Sequence, residues 1–167
     1  ATDQAQWDAL VRAVVRELGD LRAADSGALL YRAATEPKDP FVRSDAMAAI
    51  GAAGAVDWAD ELAILLRNLV LDQRAEHREV LVPGAIAGLA ALGQEVGYLP
   101  VFTASLAGFP ERITRQAEEA LVAMVADPTA ILDRLLRNEE DLAVKLAALR
   151  QELRSQAPEA AKATLAA

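Results

Sequence analysis

The single histidine of the chain, His77, sits in the polar run Asp72-Gln73-Arg74-Ala75-Glu76-His77-Arg78-Glu79. An imidazole titrates near neutral pH and serves as a general base or a metal ligand. A zinc site needs further His, Cys or carboxylate donors, and the sequence has no second histidine and no cysteine to join it. The plainer reading is a solvated loop between helices. Carboxylates adjoin at Glu118-Glu119 and at Glu139-Glu140-Asp141. Such groups do acid–base work or hold a cation only when they converge. Adjacent helical residues point roughly 100° apart, so these read as polar faces and a first turn. Gly51-Ala52-Ala53-Gly54 and Gly93-Gln94-Glu95-Val96-Gly97 are not followed by the Lys-Ser/Thr of a phosphate-cradling loop. They read as helix ends. Ser26, Ser44, Ser105 and Ser155 lack nucleophile-elbow surroundings. No catalytic residue, metal or cofactor is expected.

Arginine offers a more directional pattern. With the second helices of successive pairs aligned on Leu62, the slot of Ile64 holds Arg32, Ile64, Ala104 and Arg134. The slot of Arg67 holds Thr35, Arg67, Ala107 and Arg137. Guanidinium forks pair carboxylates with direction as well as charge, so these four arginines suit an acidic peptide or protein edge. The ordinary alternative is that arginine near a helix C-terminus satisfies the dipole, with Asp60, Glu61 and Asp133 close enough to neutralise the patch. Trp58 and Tyr98 share a slot at the start of a second helix. They read either as partner anchors or as staples between hairpins.

The elements that position these residues are helices. Asp39-Pro40 is an N-cap followed by proline at the first helical position, where its missing N–H is not needed. Val42, Ala46, Ala49 and Ile50 then share one face, and Gly51 and Gly54 are expected to end the helix. Asp57 is expected to cap the next helix, with Asp60 in a box-like position and Leu62, Leu65, Leu66 and Leu69 as its buried stripe. Leu65-Leu66-Arg67-Asn68 recurs as Leu135-Leu136-Arg137-Asn138, and Ala49-Ile50-Gly51 is echoed by Ala91-Leu92-Gly93. The pattern predicts nine helices: 4–19 with 26–36, 40–53 with 58–71, 80–93 with 98–108, 111–126 with 128–137, and a closing helix over 139–154. The Gly- and Ala-rich third pair, with Gly84 and Gly88, is expected to make the tightest crossing, or else to meet a partner or a second copy. The predicted domain is 1–154. The tail 155–167 is Ala-rich, contains Pro158 and reads as disordered.

Composition agrees. Hydrophobic residues make up 53% of the chain and aromatics only 4%, so Ala and Leu, both strong helix formers, carry the core. The net charge of −8 opposes binding to nucleic acid or anionic lipid. The weakly charged stretch 81–110 is interrupted by Pro83, Pro100 and glycines, so no membrane span is expected. The absence of cysteine leaves the redox compartment open, with cytoplasm ahead of periplasm.

Residues 42–54, Val-Arg-x-x-Ala-x-x-Ala-Ile-Gly-x-x-Gly, resemble the core of bacterial HEAT-like repeats through Val42, Arg43, Ala46, Ala49, Ile50, Gly51 and Gly54. The resemblance extends over 3–138 as four units. The third replaces the Val-Arg pair with Gly84-Ala85, and the fourth carries Ile113-Thr114. It implies an all-α superhelix of about four helix pairs plus a closing helix. It also implies that second helices line a concave face used for binding. The function expected is a non-catalytic scaffold or adaptor that holds a protein or peptide on that face. The alternative is an accessory or lyase-like protein of this kind acting on a bound small molecule.

Overall fold

A computed structural model describes residues 2–124 and Ala130. The chain divides into two units, 1–124 and 125–167, and the architecture below is that of the first. The expected helices 128–137 and 139–154, the boundary at 154, the tail, Arg134 and Arg137 lie outside the described residues.

Among the described residues the protein is all-α. Helices α1 (Thr2–Asp20) and α2 (Gly27–Thr35) form the first hairpin, α3 (Pro40–Ala52) and α4 (Ala59–Leu71) the second, α5 (Arg78–Leu92) and α6 (Tyr98–Leu106) the third. Helix α7 (Glu111–Met124) follows. Each hairpin is joined in the same way. A single 3₁₀ turn, at Ala24–Ser26, Val56–Trp58 or Glu95–Gly97, runs directly into the second helix. None of these helices is long and apolar enough to cross a membrane.

Local chemistry starts and stops the helices, with two corrections. Asp39 caps α3 as its sequence demands, its carboxylate accepting from the Phe41 amide at 2.8 Å ahead of Pro40. Asp39→Ala should therefore cost about 1 kcal/mol, measured as a lower urea midpoint. Asp57 does not cap α4. It lies inside the 3₁₀ turn, and the position before α4 is Trp58, which makes no side-chain cap. The tightened turn already pairs those backbone groups, since the Trp58 amide donates to Ala55. Gly51 does not end α3 either. It is buried within it, and the left-handed residue that follows the helix is Gly54, at φ +73°. Its counterpart after α5 is Gly93, at φ +62°. The structural register thus maps Gly54, not Gly51, onto Gly93, and the matching Ala-Ile-Gly and Ala-Leu-Gly strings misalign the units.

Packing makes two layers. The first helices α1, α3, α5 and α7 stack in succession, and α2, α4 and α6 each lie against the next first helix as well. The α3–α5 contact is the most extensive, because Gly51 and Gly88 remove side chains where the two backbones meet. Helix α5, between α3 and α7, buries Leu81, Val82, Ala85, Ile86 and Leu89. That accounts for the missing charges of the third pair. On α4 the stripe is Leu62, Ala63, Leu66 and Val70, with Leu65 and Leu69 half-buried.

Successive hairpins are also pinned by arginine. The C-terminal carbonyls of a helix lack intrahelical partners. Arg43 Nε donates to the Ala34 carbonyl at the end of α2, at 3.1 Å. Arg78 does the same at the end of α4, with Nε to Leu69 O at 2.6 Å and Nη2 to Val70 O at 2.8 Å.

Candidate functional site

Four of the residues expected to bind a partner fall among the described residues: Arg32 on α2, Trp58 in the turn before α4, Arg67 on α4 and Tyr98 on α6. Arg32, exposed in the last turn of α2, is already held by Glu36 at 3.2 Å. The hydrogen bond to that carboxylate, and then its charge, raise the pKa of the guanidinium. Arg67 is exposed on α4 and makes no ion pair among the described residues. In the third pair the slot aligned with Ile64 fails as a surface position, because Ala104 is 0% exposed. Trp58 is a staple: its ring stacks on Tyr31 at 5.0 Å and 30°, and its indole occupies the space a Cβ at Gly27 would need. Tyr98 is core, at 1% exposure, and burial pushes its hydroxyl pKa up.

His77 begins α5 in a left-handed conformation, at φ +58°. It borders an open cleft of about 440 Å³ that includes Arg78 and Phe109. Arg78 is committed there, capping α4 and lying 4.7 Å from the centre of the Phe109 ring. No three His, Asp or Glu side chains converge among the described residues. Among the described residues no side chain hydrogen-bonds the exposed His77 imidazole.

The first hairpin carries a different kind of surface. Between α1 and α2 runs a groove of about 250 Å³, lined only by apolar side chains. Trp7, Leu10, Val11, Val14, Val15 and Leu18 come from α1, and Leu29, Leu30 and Ala33 from α2. Trp7 is 61% exposed, Leu10 55%, Val14 47% and Leu29 55%. Single exposed apolar residues are ordinary, but a contiguous set at one groove marks an interaction surface.

The other face of α1 explains why these residues point outward. Gly19 is buried there and lies against Ala49 and Ala52 of α3. Arg12 Nε reaches Asp45 of α3 at 2.7 Å, and Arg16 Nη2 reaches the same oxygen at 3.1 Å. The Arg12 guanidinium also lies 5.7 Å from the centre of the Phe41 ring. One carboxylate thus holds both arginines of α1 and fixes the helix rotation. With that face on α3, Trp7, Leu10 and Val14 have nowhere to go but out.

Sequence reasoning passed over this groove, although a signal was present. Trp7, Leu10, Val11, Val14, Val15 and Leu18 spread over roughly 140° of a helical wheel, wider than the ~100° stripe one packing partner needs. No protein-family profile, curated protein or solved structure matches this chain.

Proposed function

We propose that this chain is a non-catalytic protein-interaction module, a HEAT-like α-solenoid that takes a partner protein on an exposed apolar groove. The solenoid reading draws support from the repeated hairpin connection, the stacking of first helices, and the recurrent arginine that caps the preceding second helix. The binding reading rests on one observation, the all-apolar groove between α1 and α2. Burial of such a surface is the main favourable term in association, and an exposed Trp is the residue type most enriched among dominant contacts. An acidic peptide on the arginine face is the weaker reading, because Arg32 is already occupied by Glu36.

The test compares wild type with Leu10→Asp/Leu29→Asp. Both positions are exposed, so the double variant should keep its helicity and lose no more than about 1 kcal/mol of stability. The wild-type protein, immobilised, should retain a partner from source lysate that the variant fails to retain. An identical set of retained proteins would sink the reading. So would a visible absorbance band in the purified protein, which would favour a bound small molecule.

A further inference from the structure

We infer that the groove between α1 and α2 seats a basic amphipathic helix of the partner protein, an inference that rests on the interaction-module reading above. The fold itself indicates a helix. On the side of each hairpin that meets the following one, a helix lies against both members: α3 against α1 and α2, α5 against α3 and α4, α7 against α5 and α6. The first hairpin has a second such face, and it is the open groove. From Trp7 to Leu18 it extends ~17 Å, about three helical turns. An occupant of that length with apolar residues at helical spacing would fill it.

Charge selects the flanks of the occupant. Both arginines of α1 are drawn to the opposite side by Asp45, so they contribute nothing to the groove face. Asp3 stands one turn before Trp7, Glu17 one turn after Val14, and Asp25 one turn before Leu29, and each is exposed. None of these carboxylates forms an ion pair among the described residues. The arginine of α2, Arg32, is neutralised by Glu36. Arg22, exposed one turn after Leu18, is the opposing charge, so three carboxylates against one arginine leave a net acidic rim, which favours Lys and Arg on the edges of the ligand. The same rim disfavours a second copy. Two grooves placed face to face would oppose carboxylate to carboxylate, in a chain whose net charge is −8.

The experiment uses the full chain labelled with 5-fluorotryptophan, since only Trp7 and Trp58 would report. Three synthetic 18-residue peptides are titrated in: leucine and lysine at amphipathic helical spacing, the same design with glutamate for lysine, and a scrambled leucine–lysine control. The lysine helix should shift the Trp7 resonance and leave Trp58 unmoved, and Leu10→Asp should abolish the shift. Asp3→Lys/Glu17→Lys should weaken binding at least tenfold, as should a rise to high salt. Equal binding of the glutamate helix or of the scrambled peptide would overturn the inference while leaving the apolar groove as a binding surface. A Trp7 shift that depends on protein concentration alone, with a dimer in sedimentation, would overturn it in favour of a second copy. If no peptide moves Trp7, the inference fails, and the module reading then stands or falls on the lysate comparison.

Discussion

Gly88→Ala is expected to destabilise the protein, against the usual effect of alanine in a helix. Helix propensity by itself predicts a gain of about 1 kcal/mol. At Gly88, however, a Cβ would run into the Met47 carbonyl of α3 and come within 2.7 Å of Leu62 Cδ2. The leucine methyl can rotate away, but the carbonyl belongs to a helix backbone and cannot. Gly51 faces the same crossing from the other side, its missing Cβ pointing at the Gly88 backbone. Overpacking of this kind costs typically ~1–3 kcal/mol and occasionally more. The clash is with backbone, so the net loss should be about 2 kcal/mol for alanine and larger for Gly88→Val. A urea titration of each variant measures it directly. A midpoint above wild type for Gly88→Ala would mean that α3 and α5 are further apart than the structure places them.

Leu66→Ala should cost about 2–5 kcal/mol through lost transfer energy and an unfilled cavity. The side chain is 0% exposed on α4, which packs against both α5 and α6. Collapse around the vacancy is hindered on two sides, which favours the upper part of that range. Leu65→Ala is the internal control. It removes the same atoms from a half-buried position one residue away, and should cost markedly less. Equal denaturant midpoints for the two variants would show that α4 is rotated relative to its neighbours.

These two variants probe different levels of information. That α4 is a helix, and that Leu62 and Leu66 lie on its inner side, is legible from spacing. Leu62, Leu65, Leu66 and Leu69, at i, i+3, i+4 and i+7, fall on one side of a helix but on both faces of a strand. The Asp39-Pro40 start of α3 is legible for the same local reason, since a cap acts on amides two or three residues away. The start of α3 could be read closely because Asp39 and Pro40 carry it locally; α2, α4, α5 and α6 begin without a side-chain cap. The Asp57 cap failed within that same local range. A 3₁₀ turn and an N-cap satisfy the same amides, and nothing in the pattern around Asp57 says which will form.

The groove and the crossing belong to a different scale. Sequence determined that α1 is a helix with too much apolar surface for one neighbour. Which part of that surface stays outside was decided by Asp45, far along the chain, gathering Arg12 and Arg16. Gly51 looked like a helix end because glycine most often serves that purpose. Its actual role needs the α5 backbone beside it. Trp58 and Tyr98 occupy similar places in the pattern, yet one ring is half-buried on Tyr31 and the other is in the core. Helix propensity, capping and face periodicity are carried by residues within about four positions of each other, so the chain alone determines them. Exposure depends on which neighbour arrives to cover a face, and only the packed tertiary structure supplies that neighbour.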